Sequence, residues 1–345
     1  ALGILEISSR VIAAALSKSG NGELVLSGAG NVLGAVFVNE GVLRLAGGSA
    51  LSDTAPVNIM ADDTAALELT AGHTETIGRL EGGLDSRGRL IIGAGATLTI
   101  QQTDGDTTLL EGLVFGGDIS GAGTLVKSGD DALVLEGDSS LTGAVIVNGG
   151  RLQLQNRFGK LDNASSFTLI SAELNLDQDT NVGTIDRVGN SAGITLHSTA
   201  GTRGLWLSSN QDATRNENVG LITLGFGDNR IQVDTSGGTS TSRIVQLQAD
   251  NLSRGTGHGT ALIVGQLLGN TANARAQFLL DSDPSGASAA VGGGGAAGST
   301  SISIYPWLVG ESTANNDTNL FDNYGNSFVM DASAATSAPR SGGVP

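Results

Sequence analysis

TGAVIVNGGRLQL, residues 142–154, decides how this chain is read, because LGAVFVNEGVLRL at residues 33–45 says almost the same thing. Each phrase joins a Val-x-Val segment to a Leu-x-Leu segment through asparagine and glycine. Alternation of apolar and polar residues with period two makes a strand that has one face on a core and the other in water. Gly and Asn suit the corner between two such strands, since both tolerate the left-handed backbone region.

Working outward, Lys18 falls on Lys127 and the match runs without gaps to Leu45 and Leu154, with 15 of these 28 positions identical. The identities include Ser19/Ser128, glycines at 20/129, 28/137, 34/143 and 41/150, Leu-Val-Leu at 24–26 and 133–135, and Ala-Val-x-Val-Asn at 35–39 and 144–148. Turn and strand residues are kept together, as an internal duplication of one backbone path requires. The likeness fades downstream through Ala-Leu-Glu-Leu 66–69 against Glu-Leu-Asn-Leu 173–176, and Thr76–Leu80 against Thr184–Val188. The long unit is therefore roughly 110 residues.

A shorter rhythm runs inside it: Leu5-Glu6-Ile7, Leu43-Arg44-Leu45, Leu67-Glu68-Leu69, Leu98-Thr99-Ile100, Leu152-Gln153-Leu154 and Leu174-Asn175-Leu176. No 3.6-residue period is sustained, and the 53 glycines of the 345 residues oppose long helices. Short strands, glycine and Asn/Asp turns, and only 3% aromatic residues favour an all-β parallel β-solenoid over a β-sandwich. At ~22 residues per rung the chain supplies about fifteen rungs, a rod on the order of 70 Å at the usual strand spacing.

GAGTLVKSGDDALVLEGDSSLTGAVIVNGGRLQL (121–154) resembles the autotransporter-associated β-strand repeat: Gly-x-Gly-x-Leu-x-Lys-x-Gly, Leu-x-Leu, Thr-Gly, Val-x-Val-Asn, Gly, Leu-x-Leu. Residues 16–45 match the same form, with Leu33 in place of Thr and without the opening Gly-x-Gly. Phe115–Ser120 resembles the strand that leads into such repeats, and ENVGLITL (217–224) with Ile231-Gln232-Val233 a segment that follows them in very large secreted proteins. The resemblance implies a right-handed parallel β-helix of the passenger type, extracellular or at the bacterial cell surface. A β-rich cap or insertion near the C-terminus is compatible with it.

The expected organisation is a β-solenoid over 1–200, divergent rungs or a β-rich cap over 201–284, and a Gly/Ala/Ser linker or loop over 285–300. A short β segment over 301–331 and a flexible tail over 332–345 complete it. The N-terminal ALGILEISSR lacks the basic and apolar regions of a signal peptide.

A formal charge of −16 with only 18 Lys and Arg excludes nucleic acid as a partner. The absence of cysteine excludes disulfides and thiolate chemistry. His73, His197 and His258 have no metal-ligand spacing and read as turn or surface residues. GAGAT (93–97) and GAGT (121–124) precede strands, not the helix that a phosphate loop must open. The pairs Asp104/Asp106, Asp130/Asp131 and Asp177/Asp179 are the nearest thing to the carboxylates of polysaccharide lyases and hydrolases, yet each sits where turns use Asp. Asp130/Asp131 aligns with Asn21/Gly22, one turn pair exchanged for another.

No catalytic, cofactor-binding or metal-binding residue is therefore assigned, and no cofactor is expected. Trp206, between Leu205 and Leu207, is the one aromatic at an outward strand position among these segments and a weak anchor for a ligand. The expected role is a non-catalytic structural or adhesive segment of a large surface protein. The alternatives are a self-assembling filament or surface-layer subunit, joined through solenoid ends or lateral faces, and, third, a polysaccharide-degrading enzyme. A cell-surface or polysaccharide ligand is the expected external partner, with membrane contact only through other parts of a parent protein.

Overall fold

The computed structural model describes residues 3–103, 113–179, 183–235, 243–266, 268, 275–286, 304–313 and 327–330. Asp104/Asp106, nearly all of the expected 285–300 linker and the 332–345 tail lie outside these residues. The chain forms two compact units, Ala1–Phe167 and Thr168–Pro345. Each is a parallel β-helix, and no helix among the described residues is long and apolar enough to cross a membrane.

In the first unit the strands stack into ladders, each strand pairing with its counterpart one rung away. The first ladder runs Ile4–Ile7, Glu23–Leu26, Val42–Leu45, Ala66–Leu69, Arg89–Ile92 and Asp118–Gly121, parallel throughout. The second runs Leu16–Lys18, Val36–Val38, Pro56–Ile59, Arg79–Gly82, Leu113–Phe115, Ala132–Leu135 and Arg151–Leu154. The third runs Thr74–Ile77, Thr97–Gln101, Thr124–Ser128 and Ala144–Asn148, with Ile12–Ala13 on Val32–Leu33 forming a shorter pairing of its own.

Alternation decides what these ladders bury. Leu24, Leu43, Leu67, Leu90 and Ile119 stand one above another in register, and all are buried. A second column, Leu26, Leu45, Leu69 and Ile92, does the same two residues along. Full burial of such an aliphatic side chain contributes about 1.5–3 kcal/mol, so these columns hold the coil together without aromatic bulk.

The repeated phrase is self-pairing. In the first copy Lys18 is registered with Val38, Leu24 with Leu43 and Leu26 with Leu45. In the second, Lys127 is registered with Val147, Leu133 with Leu152 and Leu135 with Leu154. One phrase thus encodes a full turn of the coil and the strand that closes on it.

The copies do not share a face, however. Leu24–Leu26 belongs to the first ladder, whereas Leu133–Leu135 continues the second, the column that carried Val36–Val38 in the first copy. Rung length varies through the corners: 19 residues separate Ile4 from its partner Glu23, and 29 separate Arg89 from Asp118. The 109-residue offset is consequently not a whole number of turns.

The second unit has longer rungs. Leu205 pairs with Ile231, Ile222 with Leu252, Ile231 with Ile263 and Val245 with Ala276, separations of 26, 30, 32 and 31 residues. Rungs of this size are longer than the ~22 residues read from the sequence, so fifteen rungs do not fit. Short strands also fuse here: Thr214–Asp234 and Ile244–Gln266 run continuously around corners that the ladder follows, with a register shift between Leu224 and Phe226. Beyond position 200 the described strands Leu205–Ser208, Thr214–Asp234, Ile244–Gln266, Arg275–Leu280 and Ile304–Thr313 are parallel rungs, and Ser327–Met330 pairs antiparallel with the last of them.

Candidate functional site

The lysine shared by both phrases is not a surface residue. Lys127 is fully buried, and its ammonium donates to the carbonyls of Gly129 at 2.6 Å and Gly149 at 2.9 Å. Lys18 repeats this with the carbonyls of Gly20 and of Glu40, the latter at 2.9 Å. The second acceptor lies 22 residues on in both copies, so each lysine clips one corner to the corner of the next rung. Desolvation lowers the Lys127 pKa to about 8, against the pull of Asp131 and Asp130, and lowers that of Lys18. Asp130 and Asp131 therefore serve this corner as counter-charges.

Buried carboxylates clip other corners. Glu75 accepts the backbone N–H of Ala50 at 2.6 Å and of Leu51 at 3.1 Å from the preceding rung. Glu217 in the second unit accepts those of Arg187 at 2.8 Å and Val188 at 3.0 Å, and Gln178 Nε2 at 2.8 Å. Burial raises both carboxyls, Glu217 to about 8. Two adjacent N–H groups on one carboxylate is the same device in two unrelated stretches of sequence. Nothing in local spacing marks Glu75 or Glu217, because their partners come from another rung.

Asp177 and Asp179 form a turn: Asp177 Oδ1 accepts the Asp179 N–H at 2.8 Å, and the Asp177 carbonyl accepts Arg187 Nε at 2.9 Å. Among the described residues no group of three or more His, Asp or Glu is placed to hold a metal ion. His73 lies in a turn, its N–H on the Thr70 carbonyl. His197 and His258 are brought to one column: His197 ends the strand Gly193–His197 and stacks on Phe226 with ring centroids 4.3 Å apart, and Phe226 is registered with His258 on the next rung. Asn175, read as outward and wet, is buried and accepts Ser208 Oγ.

The outward face of the second unit gathers a distinct cluster. Asn175, Trp206, Gln232, Val264 and Glu311 occupy successive rungs of one register column. Trp206 is half-buried, with the Arg203 guanidinium 4.0 Å from its ring centroid and its Nε1 donating to Asp234 Oδ2 at 3.0 Å. Gln232 Nε2 donates to the same oxygen at 2.7 Å. Arg203 N–H donates to the Glu173 carboxylate at 3.2 Å. Arg230 is in electrostatic contact with Glu311, Asp234 and Glu173, and its own burial lowers its pKa. Of this group the sequence singled out only Trp206 as an anchor for a ligand.

The passenger-associated-transport-repeat family matches residues 16–45 and 125–154, the two stretches that form the self-pairing phrases. Over 151 residues, 43% of the chain, it is 34% identical to the adhesin BmaC autotransporter of Brucella suis biovar 1 (strain 1330). The match spans 4% of that relative's length. No solved structure matches the chain. The recurring phrase is thus a passenger-associated-transport-repeat, carried twice on a parallel β-helix that is similar over 43% of its length to an autotransporter adhesin.

Proposed function

We propose that this β-helix is a non-catalytic adhesive segment that holds a variable outer surface on a constant inner frame. One observation carries the reading: the leucines, valines and lysine that the two phrases share in their core columns are buried, while outward positions between them differ. Leu24/Leu133, Leu43/Leu152, Val36/Val145 and Lys18/Lys127 are all buried. Phe37/Ile146 and Arg44/Gln153, which differ, point outward between buried neighbours. A frame that recurs while its exposed positions change suits presentation of a binding surface. The similarity to a protein named as an adhesin supports the same reading.

The test is adhesion of beads coated with the purified chain to cell monolayers and to plates coated with glycans or matrix proteins. Retention well above albumin-coated beads on at least one surface is expected; retention equal to albumin on all of them would overturn it. Incubation with acidic polysaccharides, followed by measurement of unsaturated and reducing ends, checks the non-catalytic part.

A further inference from the structure

We propose that the cluster around Trp206 on the outer face of the second unit is a binding site for a neutral, hydroxyl-rich saccharide, built from Trp206, Gln232, Arg230, Asp234 and Glu311. The proposal deepens the adhesive reading and rests on it, since it names the ligand class and the patch.

Two polar atoms carry the argument. Gln232 is 7% exposed, and its Oε1 is buried without a hydrogen-bond partner, although its Nε2 is fixed on Asp234. Because Nε2 is held by a carboxylate, the amide cannot turn over, and Oε1 remains an acceptor in need of a donor. Arg230 Nε, two residues earlier on the same strand, is likewise buried without a partner and needs an acceptor. A buried group left unpaired costs about 1–3 kcal/mol, so a ligand that supplies the missing partner to both atoms at once is favoured there. Residues two apart on one strand lie about 7 Å apart, and neighbouring rungs about 4.8 Å apart. Trp206 and Gln232 are neighbours of the second kind.

The site thus offers an acceptor, a donor and a half-buried indole, one face of which carries Arg203, within the reach of one sugar ring. Hydroxyl groups both donate and accept, and the C–H face of a sugar packs on an aromatic ring. The charge balance selects among saccharides. Arg203 and Arg230 face Glu173, Asp234 and Glu311, three carboxylates against two guanidinium groups, on a chain of net charge −16. An anionic glycan is repelled, and a simple cation site would not leave a guanidinium donor waiting. Pockets that combine one aromatic wall with few fixed polar groups are the usual form of a small-ligand site.

The experiment is saturation-transfer NMR on the whole chain with maltotetraose, cellotetraose and laminaritetraose, and with a hyaluronan tetrasaccharide as the charged comparison. Saturable transfer from at least one neutral tetrasaccharide is expected, with weaker transfer from the charged one. Gln232→Leu and Trp206→Ala each weaken it at least tenfold, whereas Arg10→Ala, at an exposed position of the first unit, leaves it unchanged. Should either variant lose the native far-ultraviolet spectrum, Gln232→Met and Trp206→Phe carry the same comparison, with a loss of about threefold or more. No saturable transfer from any neutral tetrasaccharide overturns the proposal, as does transfer undiminished in folded variants of Gln232 and Trp206. Bead adhesion of the same variants separates the two readings. Variants that lose no adhesion, from a chain that binds no tetrasaccharide, leave the adhesive role standing and remove this site.

Discussion

Lys127 is a long charged side chain with no exposure, and burying an ammonium ion costs several kcal/mol unless it is hydrogen-bonded. Here two of its three protons go to backbone carbonyls that the corner leaves over, Gly129 and Gly149, each on a different rung. The lysine is there because the corners need donors, and hydrogen bonds to a charged group are the stronger kind. Lys127→Met keeps the aliphatic stem and strands both carbonyls. It is expected to destabilise the first unit by about 1–3 kcal/mol, read as a lower urea midpoint by far-ultraviolet circular dichroism. An unchanged midpoint would show the clip to be idle. That a lysine recurs at this place was visible in the sequence; that it is buried was not, since lysine is ordinarily a surface residue and both acceptors are defined only once rungs stack. Glu75 and Glu217 were hidden for the same reason, their N–H partners lying 25 and 30 residues upstream.

At the scale of strands and corners, alternation in Leu43-Arg44-Leu45 or Leu152-Gln153-Leu154 is enough to say which residues face in, and the structure buries Leu43, Leu45, Leu152 and Leu154. Which face of the coil each strand occupies was not legible. It depends on the length of every intervening corner, so two copies of one phrase came to lie on different faces. The Trp206 cluster was beyond reach for a related reason. Its members come from rungs 26 to 32 residues apart and, for Glu311, from a strand 47 residues past Val264, and no local spacing marks such a set.

Corners themselves are strict. Gly150 has φ +58, and a Cβ there would stand 2.3 Å from Lys127 Nζ and 2.6 Å from the carbonyl oxygens of Gly129 and Asp131. Gly149, with φ +90, would meet its nearest atom only at 3.3 Å. Gly149→Ala is expected to cost about 1–2 kcal/mol for left-handed backbone alone. Gly150→Ala adds a clash with backbone and with the lysine clip, and is expected to cost more, about 3 kcal/mol or above. Equal urea midpoints for the two variants would mean that the corner yields where the geometry says it cannot.

For the whole molecule, the buried charges set an unusual dependence of stability on pH. Burial raises the carboxyls of Glu75, Asp118, Glu217 and Glu311. A carboxyl whose folded pKa lies above its unfolded value binds a proton more tightly when folded, so stability falls as pH rises between the two. For Glu217 this window runs from 4.5 to about 8. Lys127 acts in the opposite sense: its folded pKa, about 8, lies below the ordinary 10.5, so stability rises as pH rises through that interval. The two limbs meet near pH 8, where stability should pass through a minimum, the reverse of the usual neutral maximum.

The limbs belong to different units, and the chain supplies a way to tell them apart. Both tryptophans, Trp206 and Trp307, lie in Thr168–Pro345, so fluorescence reports the second unit while circular dichroism reports both. Melting followed by fluorescence is expected to shift upward as pH is lowered from 8 towards 5, and Glu217→Gln to flatten that shift. Melting of the first unit by circular dichroism is expected to rise from pH 8 to 10, and Lys127→Met to abolish the rise. The acid limb should be measured short of the isoelectric point near 4.4, where loss of the net charge that keeps the chain dispersed promotes association. A fluorescence melting point that rises from pH 5 to 8 would refute the assignment of Glu217 as the dominant buried acid.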